Sequence, residues 1–278
     1  MTFPCGNDTL VGILARAQAP TRRGIVIAPG GPQYRSGSHR QFTLLARYLA
    51  ERGLSSLRFD YRGTGDSSGP LRKLESVDAD LRAAVDAFTG AEPRLREVVL
   101  WGLCDAASDS LLYAPSDPRV TGLALLNPHV CAPRLTARAH LTAYYLPALR
   151  TVEAWRRLLS GRVRVRPLVA EMLHAVLGTP ARTLAMPALA ASEVDVYAPE
   201  RLAAALRQFT GHVLLILSGR DLVAARFQAA FGRPQAWERP AGAGSVTRHV
   251  LPEADHTFSC QEWGDRVARW TDHWVRSW

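Results

Sequence analysis

The chain has 278 residues, 47% of them hydrophobic, and a formal net charge of +9 at pH 7. That length suits one large domain, or one domain with an insertion, and the composition is that of a packed soluble protein rather than a disordered or fibrous one. No apolar run approaches the roughly 18 residues that suggest a membrane helix, which argues against a membrane span.

In chain order, residues 1–20 read as two short strands, with Thr9 to Ala17 the clearer one. Gly24 to Ala28 is a buried strand that ends in Pro29-Gly-Gly-Pro-Gln33, a loop needing special backbone angles. Ser38 is placed to cap a helix over His39 to Arg52, where Phe42, Leu45, Ala46 and Leu49 recur at helical spacing. Leu54 to Phe59 is the next strand, and the glycine-punctuated loop Asp60 to Ser67 follows it. Val77 to Phe88 is a second amphipathic helix. Val98 to Trp101 is an unbroken apolar run, as expected of a strand buried on both faces. A helix starts at Asp105, and Val120 to Leu126 is a further strand closed by Asn127-Pro128.

The rhythm breaks between Cys131 and Glu200. Six prolines and several helix-like patches there point to a helical cap inserted over the sheet edge, with residues 1–130 and 201–278 forming the core. Eight arginines lie in this stretch between Arg134 and Arg166, mostly expected on a solvated face. The sheet resumes with His212 to Leu217, then Thr247 to Leu251, and a last helix covers Gln261 to Trp274. Alternation of strand and helix at short spacing predicts an α/β fold: a mostly parallel sheet with helices on both faces. Functional residues then belong at the carboxyl ends of the strands.

Three side chains fall just past three such ends. Gly102-Leu-Cys104-Asp-Ala106, between a buried strand and a helix, has the form of a nucleophile elbow with sulfur in place of the usual hydroxyl. Asp221 follows the strand His212–Leu217, and His256 follows the last strand. A cysteine needs a neighbouring base to ionise near neutral pH. His256 is expected to be that base, with Asp221 fixing its tautomer. Asp195 and Asp255 are rivals for the acid. Two backbone N–H groups are needed for an oxyanion. Asp105 N–H is one, and Gly31 is the best candidate for the other, with Gly30 next, because Pro32 has no N–H. Gly30, Gln33 and His39 are expected to line the substrate site, while Asp60 and Asp66 brace their loop.

The Asp105 carboxylate has two opposed effects. It favours the helix dipole, and it opposes a thiolate at Cys104. Cys5, Cys131 and Cys260 read as buried small hydrophobes. The four cysteines form no C-x-x-C pair, which fits reduced thiols in a cytosol and no zinc site. The start of the chain has neither a basic nor an apolar leader region, so cytoplasmic residence is expected. The basic charge is almost all arginine, since Lys73 is the only lysine. It suits a GC-rich coding bias or a surface that receives an anion. No nucleic-acid module accompanies it. No metal or cofactor is called for.

Gly30-Gly-Pro-Gln-Tyr-Arg35, Gly37-Ser-His-Arg-Gln-Phe42, Leu57 to Ser67, and Leu100-Trp-Gly-Leu-Cys-Asp-Ala-Ala107 together carry a resemblance. The chain resembles an α/β-hydrolase with an inserted cap, on the serine aminopeptidase-like branch. More narrowly it is similar to the exosortase A system-associated hydrolases, type 1. That resemblance implies a bacterial cytosolic hydrolase associated with exopolysaccharide and protein-sorting loci. Cys104 for serine, and Pro29 for the usual histidine of the loop, depart from the wider superfamily. The readings that follow are hydrolysis of an ester or thioester on a small-molecule or carrier-bound acyl substrate, acyl transfer to a sugar or amine, or a catalytically silent binding fold.

Overall fold

A computed structural model of the chain describes residues 1–19, 22–31, 33–71, 77–131, 196–233, 237 and 239–278. The cap patches and arginines expected between 132 and 195, Asp195 among them, lie outside the described residues. The strands are β1 (Thr2–Cys5), β2 (Asp8–Ala15), β3 (Arg23–Ala28), β4 (Ser56–Phe59), β5 (Glu97–Leu103), β6 (Val120–Leu126), β7 (His212–Ser218) and β8 (Val246–Leu251). Between and after them run α1 (Gln41–Glu51), α2 (Val77–Ala91), α3 (Asp105–Tyr113), α4 (Pro199–Gln208), α5 (Leu222–Phe231) and α6 (Gln261–Val275).

The strands form one eight-stranded sheet in the order β1-β2-β4-β3-β5-β6-β7-β8. β1 and β2 join antiparallel, and every pairing from β4 to β8 is parallel. The parallel part needs helical crossovers, so both of its faces are covered. Side chains of β5 show the consequence. Val98 and Leu100 pack among Leu81, Val85 and Phe88 of α2, while Val99, Trp101 and Leu103 pack among Phe42 and Leu49 of α1 and Trp274 of α6. Each fully buried aliphatic side chain of this kind contributes about 1.5–3 kcal/mol. Trp101 anchors its face further, with its ring edge-on to Phe42 at 5.7 Å and Nε1 donating to Thr271 Oγ1 at 3.3 Å.

Three local expectations are corrected. Ser38 does not cap α1: His39 and Arg40 take left-handed angles (φ 53° and 60°), a 3-10 turn forms over Ser38–Arg40, and the helix starts at Gln41 without a side-chain cap. α5 was not expected, because Leu-Val-Ala-Ala-Arg-Phe-Gln-Ala-Ala-Phe is apolar nearly all round and lacks a clear stripe. Leu202, Ala205 and Leu206 of α4 join the same hydrophobic cluster as α2 and α3. Cys260 is exposed, at the start of α6, whereas Cys5 and Cys131 are buried as expected.

Candidate active site

The sulfur is presented by a strained and firmly held backbone. Cys104 has φ 62° and ψ −124°, a conformation costly for any residue but glycine. Its N–H donates to Leu126 O at 2.9 Å, and its carbonyl accepts from Ala107 N at 3.1 Å and His129 N at 3.1 Å. β6 and α3 together thus over-determine the turn, which is how such strain persists. Gly102 makes the turn possible. A Cβ there would lie 2.6 Å from the Ala106 carbonyl group, so strand and helix touch only across a glycine.

The three strand-end residues read from the sequence meet at this point. His256 Nδ1 and Asp221 Oδ2 are 2.8 Å apart. The same imidazole lies close enough to Cys104 for the sulfur to influence its titration. With Nδ1 turned to the carboxylate, Nε2 is the nitrogen left for sulfur. Burial alone would lower the imidazole's pKa. Hydrogen bonds with Asp221 and Cys104, and the charge of each, outweigh it and push His256 up to about 10. Asp221 has a second task, because its carboxylate accepts from Val223 N and Ala224 N, both at 3.1 Å, and so caps α5. Asp255, a rival for the acid, is committed elsewhere. It accepts from Thr257 N, Ser259 N and the Ser259 hydroxyl. Although burial opposes it, those bonds and the charge of nearby His39 hold its carboxyl below the usual range.

The loops carrying acid and base are tied together. Gly219 N donates to Leu251 O at 2.7 Å and Arg220 N to Ala254 O at 3.0 Å. Two buried residues that the sequence reading missed complete this bracing. Asn127 Nδ2 donates to Ser218 Oγ at 2.8 Å and to the His256 carbonyl at 3.0 Å, while Asn127 Oδ1 accepts from Ser218 N at 2.8 Å. Ser218 Oγ in turn donates to Asp255 O at 2.7 Å. The available signal was a polar residue directly after each of two buried apolar strands. Asn127→Ala would leave Ser218 N–H and the His256 carbonyl without this partner inside the protein. A loss of about 1–3 kcal/mol in urea denaturation is expected; unchanged stability would contradict the bracing role.

The remaining candidates are placed as follows. Gly31 N–H points at the Asp105 side chain and lies 2.7 Å from both of its carboxylate oxygens. This answers which way Asp105 faces: toward the glycine loop. Gln33 N closes a turn onto Gly30 O at 3.3 Å, and Gln33 Oε1 is buried with no hydrogen-bond partner among the described residues. His39 is exposed beside the Asp255 loop. Asp60, wholly buried, accepts from Arg35 N at 2.7 Å and pairs with the Arg35 guanidinium, which also meets Asp66 at 2.6 Å. Both acids therefore hold their loops together. Among the described residues no group of three or more His, Cys, Asp or Glu side chains is arranged to hold a metal ion, and no helix is long and apolar enough to cross a membrane.

The sequence model of the alpha/beta hydrolase family matches residues 25–270 of the chain. The chain belongs to that family. The alpha/beta hydrolase fold is equally visible in solved structures. Est1E from Butyrivibrio proteoclasticus with bound ferulic acid is 16% identical, with a TM-score of 0.66 over 99% of this chain and 97% of that one. The Pyrococcus furiosus esterase Pf2001 is 16% identical, with a TM-score of 0.62 over 99% of this chain and 90% of that one. Dienelactone hydrolase from Anabaena variabilis is 17% identical, with a TM-score of 0.60 over 99% and 94%. At such identities the likeness is one of fold. No curated protein matches the sequence.

Proposed function

We propose that this alpha/beta hydrolase cleaves an ester or thioester acyl group through Cys104, with His256 as general base and acid and Asp221 as its orienting carboxylate. The observation that carries this reading is a single imidazole 2.8 Å from the Asp221 carboxylate and near the Cys104 sulfur, with all three residues following the carboxyl ends of parallel strands.

In the first half-reaction the thiol proton passes to His256, the sulfur attacks the acyl carbon and the carbonyl π pair moves to oxygen. The tetrahedral oxyanion is received by the N–H of Asp105 and of Gly31. Collapse breaks the bond to the leaving alkoxide or thiolate, which takes its proton from His256. In the second, His256 removes a proton from water, hydroxide adds to the acyl-cysteine, and the C–S bond breaks to release the acid. Gly30, Gln33 and His39 line the approach to the sulfur in this reading. The acyl group rides on a small molecule or a carrier, and neither nucleic acid nor a cofactor takes part. The blocks around Gly30, Gly37 and Leu100 support membership of the exosortase A system-associated type, hence a bacterial and cytoplasmic setting.

Intact-protein mass spectrometry after exposure to a panel of acyl esters and thioesters tests the reading. An acyl adduct is expected on the peptide containing Cys104, and its mass names the substrate class. Decay of that adduct in water alone means hydrolysis, and decay only with an added sugar or amine means acyl transfer. An adduct confined to Cys5, Cys131 or Cys260 would refute the assignment of nucleophile.

A further inference from the structure

The Asp105 carboxylate is not merely near the nucleophile; it is seated. Both of its oxygens lie 2.7 Å from Gly31 N, and Oδ1 also accepts from Ala106 N at 3.0 Å. The seat is shaped for it. A Cβ on Gly30 would come within 2.8 Å of Oδ1 and 2.4 Å of the Leu103 carbonyl, so only glycine leaves the space the oxygen fills. Gly31 turns its N–H toward the carboxylate from a left-handed conformation, φ 55°. Charge-assisted hydrogen bonds of this kind are stronger than those to a neutral carbonyl.

We propose that the Asp105 side chain is a resident substitute for the oxyanion and thereby a specificity-determining residue: acylation of Cys104 proceeds only for substrates that displace the carboxylate from Gly31 N–H. The inference rests on the reading of Gly31 as an oxyanion donor. One N–H cannot fully serve two anions, and the ground-state carbonyl of a substrate is neutral. It loses the competition unless contacts elsewhere on the substrate hold it in place. Small activated esters, which have few such contacts, are therefore discriminated against. Rotation about the Asp105 Cα–Cβ bond clears the seat without moving the backbone of α3.

The seat can be observed without any turnover. Gly30-Gly31 is the only Gly-Gly pair in the sequence, so a protein labelled with carbonyl-¹³C and amide-¹⁵N glycine yields one carbonyl-filtered amide signal, that of Gly31. In the wild type this signal is expected downfield and unmoved by sodium formate. In Asp105→Ala it is expected to shift upfield and then to titrate with formate, as an emptied anion seat would. Asp105→Asn keeps the shape and removes the charge, so an intermediate position is expected, and it serves if the alanine variant does not fold.

The kinetic arm measures acylation by p-nitrophenyl acetate. An increase of about tenfold or more is expected in Asp105→Ala, the scale of releasing one charge-assisted hydrogen bond. A Gly31 signal indifferent to both substitutions, or formate binding equally well to the wild type, would overturn the proposal. So would a freed amide accompanied by slower acylation, which would make the carboxylate a brace for the loop. If formate binds only the variant and no ester acylates either protein, the seat stands and the hydrolase reading fails.

Discussion

Cys104→Ala is expected to lower acyl turnover by about 10⁴-fold or more, to the level that oxyanion donors and binding alone sustain. The size follows from what is removed. The sulfur is the atom that bonds the acyl group, and His256 does not replace it, because its interaction with Asp221 keeps the imidazole protonated near neutral pH and so a poor nucleophile. The half-buried site and the small volume lost predict only a minor change in thermal stability, within about 1 kcal/mol. Steady-state kinetics on a short acyl thioester and an activated ester, paired with a melting curve, check both parts. Full activity with both substrates in a folded variant would end the cysteine mechanism.

The second large effect concerns His256→Gln, and its sign depends on pH. The imidazole is raised from an ordinary value of 6.5 to about 10, through Asp221 and Cys104 and against the effect of burial. A folded-state value above the unfolded one means the folded chain holds the proton more tightly. The stabilisation is complete below about pH 6.5 and is lost as pH rises through about 10. Glutamine still offers Asp221 a donor but carries no charge. The gap in melting temperature between wild type and variant is therefore expected to be widest at pH 6 and to close toward pH 10. A gap that stays constant would mean the proton is not held as described. Iodoacetamide labelling of Cys104 near pH 7 is expected to slow by about tenfold or more in the same variant, since the neighbouring group that would take the thiol proton is gone.

Much of this was legible before any coordinates. Strands β3, β5, β6 and β7 are continuous apolar runs, and such runs have few options other than a doubly covered parallel sheet. Cys104, Asp221 and His256 stood out because each follows one of those runs or the last strand. What was not legible depends on groups distant in the chain. The orientation of Asp105 is decided by Gly31, which lies 74 positions earlier, and no local pattern reports a rotamer. Asn127 looked like the end of a strand, because its partners, Ser218 and His256, come 91 and 129 positions later. Ser38 had the composition of a cap, but two left-handed residues intervene before the helix begins. α5 was hidden because apolar residues run nearly all round it although only Ala224, Phe227 and Phe231 are buried, and because Asp221 draws attention for its chemistry rather than as a helix start.

β6 separates the strand that carries the sulfur from the pair that carries acid and base. Leu126 O fixes Cys104 from one side of it, and Asn127 fixes His256 and Ser218 from the other. The gap between nucleophile and base is thus ruled by an intervening member that supplies no reacting atom. A one-residue insertion or deletion near Leu126 would detune the site while leaving all three reacting side chains unchanged, and a motif search for those three would miss the damage.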